Sequence, residues 1–478
     1  MTATGTNDDH LALDAATVAL IERAHKCSGV AAIDDHLPHQ NFGSMWASLA
    51  SEGADRLWMS YYPCVGEETP QTLTVGEFAE SVERVAQLLA QEYGIGEGAT
   101  VATLMINQPL TAAIYFAAWR LGARVVPISP EEPDQQVGEI VHDAGATLLI
   151  AHTICKDDLG PLDEVLTRLL GENLQRSVVL DGTTRDGALT AGWDDFNAAL
   201  NEFDVSKTSA KPPDVHWDTE ALIAYPIGVM GRPLGAVLTQ KQLFAAAYGI
   251  AKWHNIDEHA VLMNSLPLHR VGEIVLSLVM PAFAGAQVVM NRHFSAKGVW
   301  KKLAEHNVTI ASVVPRFLQE LMESGEDFDP QTIPGFCYFI SRSQPLTVDA
   351  AGEFQDRFGL KIVHGYGLDE TASFSCFLPT TLDWHEHVQW VRDHEVPSVG
   401  VPMLVNDVDI HDTEGVSIGT GREGELVARG HNIMTRYHGN PEANARVFRQ
   451  GWLHTGYKGY KLRSNDDREY FFVTGRIE

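Results

Sequence analysis

A chain of 478 residues, 45% hydrophobic and 21% charged, has the makeup of a globular protein too long for a single compact core. Its 63 acidic residues against 35 Lys and Arg leave a formal charge of −28, which repels phosphate backbones and argues against nucleic acid as a partner. The five cysteines are scattered without a CxxC pair, and the polar N-terminus has neither a basic n-region nor a long apolar run, so the expectation is a reduced, cytoplasmic protein without signal peptide or membrane span.

Residues 1–40 are weakly patterned and read as an arm with one short helix near 15–25. The apolar spacing of Val75, Phe78, Val82, Val85, Leu88 and Leu89 predicts a long amphipathic helix, with Thr74 as N-cap and Gly94 as its stop. Strands at 99–105, 124–128 and 147–151 then alternate with helices at 110–121 and 137–143, the rhythm of a wound α/β sheet. Residues 157–217 read as loop-rich and acidic, with a linker at 207–213. A second α/β unit follows, with helices at 240–252, 272–284 and 297–306 and strands at 260–265, 286–290 and 309–314. Short strands between Gly and Asp turns fill 399–475. The expected division is 1–215, an α/β subdomain with its arm; 216–398, a second α/β subdomain; 399–475, a β-rich subdomain; and 476–478, a hinge remnant.

The stretch YPIGVMGRPLG at 225–235 lies between an apolar run and the helix from Gln240. Strand, glycine-punctuated loop and helix is the layout of a phosphate cradle, in which glycines let backbone N–H groups turn toward an anion. The stretch resembles the P-loop of the adenylate-forming superfamily (acyl-CoA synthetases, adenylation domains, luciferases), roughly Y-[ST]-S-G-[ST]-T-G-x-P-K-G. Tyr225, Gly228, Gly231, Pro233 and Gly235 fit it, while every Ser, Thr and Lys position is apolar or Pro, Met230 among them. The run NQPLTAAIYFAAWRLGARVVPISP at 107–130 resembles the same family, and the likeness extends from about residue 41 onward. It implies an α/β fold of two wound subdomains plus a small β-rich one, with the C-terminal lid absent.

The family's functional positions can be followed one by one. SLPLHRVGE at 265–273 resembles the motif that walls the acyl pocket, with His269 at its aromatic position and Arg270 at its histidine. A guanidinium there either pairs with a carboxylate or phosphate or simply faces water. At the adenine turn, Arg342, Ser343 and Gln344 replace small residues and are expected to fill the adenine slot. HGYGLDETAS at 364–373 resembles Y-G-x-T-E, which implies Tyr366 against adenine, Gly367 in the turn and Glu370 at Mg²⁺. Asp369 takes the Thr position, where a carboxylate repels a triphosphate by about 1 kcal/mol or more. Tyr457 stands where the family's aspartate binds both ribose hydroxyls, and Arg476 matches the hinge arginine that touches the ribose. The lid with its adenylation lysine would begin there, so the sequence comes either from a naturally lidless protein or from a longer chain trimmed at the hinge.

Two further clusters are weighed. His385, His387 and His394 in DWHEHVQWVRDHE, at 383–395, are expected in a solvated loop rather than at a metal, and Cys376 as a buried, inert thiol.

Departures at the P-loop, the adenine turn, the Thr position and the ribose aspartate all strike one ligand. The expectation is a divergent acyl-CoA synthetase-like protein that has lost normal ATP and AMP binding and needs no cofactor. It binds an acyl or carboxylate ligand in the remodelled cleft, either for ATP-independent acyl transfer or condensation, or as a noncatalytic partner of a carrier protein or CoA thioester. Arg270 and Glu370 are the catalytic candidates. Gly228, Met230, Gly231, His269, Arg342, Ser343, Tyr366, Gly367, Asp369, Tyr457 and Arg476 are the candidate cleft residues. The competing reading is a carboxylic acid ligase that uses ATP and Mg²⁺ to form an acyl-AMP and then a thioester. Neither reading involves nucleic acid or membrane, and both leave the oligomeric state open.

Overall fold

In the computed structural model, which describes residues 13–63, 69–156, 159–180, 192–204, 213–226, 234–342 and 345–477, the strongest sequence pattern becomes the helix Val75–Gln91. Thr74 caps it by accepting from the Glu77 N–H, and the Glu77 carboxylate accepts in return from the Thr74 N–H at 2.8 Å. The expected apolar face is buried, and it packs on the helix Pro109–Arg120. Gly94, at φ +65°, turns the chain so that the Ile95 N–H reaches the Leu89 carbonyl.

Three sheets organise the described residues. One has eight strands in the order Arg436–Tyr437, Ala236–Thr239, Glu220–Ala224, Arg124–Pro127, Thr100–Leu104, Leu148–His152, Gln175–Val179 and Asp194–Asp195. From Glu220–Ala224 to Asp194–Asp195 its strands are parallel, and the central ones are buried on both faces, so they read as apolar runs rather than alternations. The second has nine strands, in the order Val401–Pro402, Cys376–Phe377, Lys361–Tyr366, Tyr338–Ser341, Ile310–Val313, Val261–Asn264, Gln287–Asn291, Leu57–Tyr62 and Gln71–Thr74. The third is antiparallel and built from Asn406–His411, Gly424–Gly430, Trp452–Arg463, Phe448–Arg449 and Glu469–Arg476.

Sheet membership crosses the sequence boundaries at 215 and 398. The strands at 57–74 join the second sheet, those at 220–239 join the first, and one short strand after 400 attaches to each. Periodicity identifies an element but not its partner. The arm also has a fixed place: its helix Ala15–Ala24 packs on the antiparallel sheet. Beyond it, Ser28 donates to the Asp407 carboxylate and His431 to the Val30 carbonyl.

Other expectations need correction. Residues 157–217 contain the helices Gly160–Leu170 and Phe196–Glu202 and the strand Gln175–Val179, elements short enough to be hidden among acids and glycines. Most of the expected linker lies outside the described residues. The histidine-rich segment is the helix Trp384–Arg392, capped by Asp383 with Glu386, not a solvated loop. His387 faces the core while His385 faces solvent, and no group of three metal-ligating side chains occurs among the described residues. The expected helix at 272–284 contains a π-helical stretch, Val275–Val279. Cys376 is buried, and desolvation pushes its thiol well above the usual range. Among the described residues, no helix is long and apolar enough to cross a membrane.

Candidate functional site

Strands Tyr338–Ser341 and Lys361–Tyr366 run parallel with Ser341 opposite His364, so Arg342 and the turn after Tyr366 emerge side by side at their carboxyl ends. Crevices at such ends are where wound sheets hold ligands. Gly367 makes the turn possible, because a Cβ there would collide with the Ser373 carbonyl. The loop leading to His269 and Arg270 is clamped by Asn107, which accepts from the Leu268 N–H at 2.8 Å and donates to the Leu266 carbonyl at 2.9 Å. Tyr457 and Arg476 face each other across the antiparallel pair Trp452–Arg463 and Glu469–Arg476.

These elements enclose two adjoining cavities of about 490 and 390 Å³, which share Arg342, Gly367, Leu368, Ser373, Tyr457 and Arg476. The larger continues along Pro345, Leu346, His364, Phe374 and Val399, and Tyr366 lines it. The smaller continues along Pro226, Leu234, Arg270, Asp369 and Glu370. Most of the described candidate residues therefore meet in one cleft. His269 lines neither cavity, and burial pushes its imidazole down to about 3. Gly228, Met230, Gly231 and Ser343 lie outside the described residues.

Arg342 lines both cavities, and its Nε and Nη2 donate to Glu273 Oε1 at 3.1 and 2.7 Å. Glu273 is fully buried and also accepts from Ser312 at 2.9 Å and Ser277 at 3.0 Å. A Cβ at Gly272 would strike the Arg342 guanidinium, so glycine permits the approach. Sequence reasoning missed Glu273, although a lone acid within VGEIVLSLVM signals a buried partner.

Arg270 opens into the smaller cavity without an ion pair within 4 Å among the described residues, and desolvation lowers its affinity for a proton. Asp369 is raised to about 6 by desolvation and then by the neighbouring Glu370, against the opposing pull of Arg270 and Arg342. Glu370 Oε1 accepts from the Tyr437 hydroxyl at 2.7 Å. Burial, reinforced by Glu370, pushes the Tyr437 phenol far up. Tyr437 lines neither cavity, and nothing local in the sequence marks it as the partner of Glu370.

Tyr366, Tyr457 and Arg476 touch one another. The Tyr457 ring stands edge-on to Tyr366, with centroids 5.8 Å apart. Arg476 Nε donates to the Tyr457 hydroxyl at 3.0 Å, and its guanidinium lies 5.2 Å from the same ring's centre.

Residues 50–438 match the family model described as AMP-binding enzyme. The chain belongs to that family. Within the AMP-binding enzymes it is 26% identical to a sulfoacetate–CoA ligase of Cupriavidus necator, over 91% of this chain and 79% of that protein. It is 25% identical to a crotonobetaine/carnitine–CoA ligase of Salmonella enteritidis, over 91% and 80%. Its fold matches the inhibitor-bound N-terminal domain of FACL13 from Mycobacterium tuberculosis, with TM-score 0.75 and 22% identity over 92% of this chain and all of that one. It also matches the O-succinylbenzoate coenzyme A synthetase of Bacillus subtilis in complex with AMP, with TM-score 0.72 and 21% identity over 92% and 79%. The expected architecture, two wound α/β units with a small antiparallel β unit, is the one found.

Proposed function

We propose that this AMP-binding family member takes an acyl or carboxylate ligand in the cleft bounded by Arg270, Arg342, Glu370 and Tyr457, and does not bind ATP or AMP as its relatives' family does. The observation that carries this reading is the mutual contact of Tyr366, Tyr457 and Arg476. A ribose needs paired acceptors for its two hydroxyls, and a tyrosyl oxygen already accepting from Arg476 is a poor substitute. Each hydroxyl left unpaired on burial costs about 1–3 kcal/mol. On the phosphate side, Asp369 adds a carboxylate at the family's Thr position, beside the retained Glu370, and so opposes a polyphosphate. The acyl or carboxylate class is supported by the named activities of the relatives, which join small carboxylic acids to CoA. Without nucleotide to activate it, such a ligand arrives preactivated, as a CoA or carrier-protein thioester. The protein then either transfers or condenses the acyl group or holds it as a noncatalytic partner.

The ligase reading has one observation in its favour, the open 490 Å³ cavity beside Tyr366. Pyrophosphate exchange separates the two. With ATP, Mg²⁺ and a panel of short carboxylic acids, no acid-dependent exchange is expected, whereas acyl thioesters bind. Robust exchange with any of the acids would return the protein to the ligases.

A further inference from the structure

Three guanidiniums line the smaller cavity, those of Arg270, Arg342 and Arg476; among the described residues only Arg342 has an ion-pair partner within 4 Å, and Arg476 is engaged by the Tyr457 hydroxyl. Arg342 is fixed by Glu273 through Nε and Nη2, so its Nη1 amino group is left over by that pairing. The Glu273 side holds still because Ser277 and Ser312 occupy its carboxylate as well, in a site without solvent exposure. Arg270 lines the cavity with its residue exposed to solvent, is repelled by Arg342, and feels Asp369, Glu131 and Glu132 without forming an ion pair among the described residues. A guanidinium without an acidic partner presents a fork of N–H donors to the cavity, and planar oxyanions accept two of those bonds at once. The carboxylates of Asp369 and Glu370 on the same wall oppose a doubly charged phosphate and leave a singly charged group as the better fit.

We infer that the cleft seats a terminal carboxylate or sulfonate between Arg270 and Arg342, so that its ligand is an acyl group with a second, anionic end. This rests on the acyl-ligand reading above. In a thioester the reacting carboxyl is uncharged, so the seated oxyanion belongs to the far end of the acyl chain.

The test compares three small thioesters of N-acetylcysteamine, carrying succinyl, sulfopropanoyl and butanoyl groups, by calorimetric titration of the full chain. The first two end in an oxyanion and the third in a methyl group. The succinyl or the sulfopropanoyl thioester is expected to bind about 10- to 100-fold more tightly than the butanoyl one, the range for a charge-assisted hydrogen-bonded pair, and the tighter of the two identifies the group. Arg270→Met brings all three to the same affinity, with folding checked by thermal unfolding. Arg270→Lys keeps the charge without the fork and retains an intermediate preference. Equal affinities in the wild type, silence with all three, or a preference that survives Arg270→Met overturns the inference. ATP binding would instead overturn the nucleotide-free reading and leave the thioester comparison standing.

Discussion

Tyr457 does at the cleft what an aspartate cannot: it fills space, packs on Tyr366 and accepts from Arg476. The account therefore predicts that Tyr457→Asp alone fails to restore AMP binding in calorimetry, because Asp369 and the apolar P-loop positions are unchanged; micromolar binding by that single variant would show the other departures to be neutral. Glu273 makes a separate prediction. Its removal in Glu273→Ala leaves Arg342 without its partner and should lower unfolding stability by about 3–5 kcal/mol, read from the urea midpoint. A loss below about 1 kcal/mol would mean that water replaces the pair. At this scale the sequence was informative about identity and poor on contact. Arg342, Tyr457 and Asp369 stood out as departures from a pattern, but only coordinates could place Arg342 against Glu273, 69 positions away in the chain.

Among the elements, those with a period and a cap were legible. Val75–Gln91 was read with its Thr74 cap and Gly94 stop because its apolar residues recur at helical spacing and both signals are local. Trp384–Arg392 carries the same kind of cap in D-x-x-E, but it buries only His387 and Val391, too few apolar positions to show a helical period. Asp383→Ala is expected to cost about 1 kcal/mol by removing the acceptor for the Glu386 N–H, measurable by chemical denaturation, while His385→Ala on the solvent face changes stability little. Equal effects from the two would contradict the capped helix. The π-helical stretch at Val275–Val279 left no mark in the periodicity, because a single wide turn shifts the apolar face by less than its own width.

Across the whole molecule, the sequence conveyed the class of fold and the order of its elements but not the interleaving of its sheets, since strand partners depend on contacts far apart in the chain. Three buried histidines and the half-buried His269 give the molecule a pH signature. Burial lowers His254 and His269 to about 3 and His364 and His387 to about 4. The unfolded chain takes up these protons near the ordinary value of about 6.5, and the folded chain resists them until far lower pH. Stability from keeping them neutral is thus complete above about pH 6.5 and is lost as pH falls, by up to about 1.4 kcal/mol per pH unit for each histidine. Urea midpoints followed from about pH 7.5 down to about pH 5 should decline accordingly; a flat profile would mean that these rings gain protons in the folded state.

The central claim is that the cleft where Tyr457, Arg476 and Tyr366 contact one another no longer takes a nucleotide. Its most direct test is calorimetric titration of the protein with AMP and with ATP in the presence of Mg²⁺. The account predicts no heat of binding for either nucleotide up to about millimolar concentration. Micromolar affinity for AMP or ATP would contradict it.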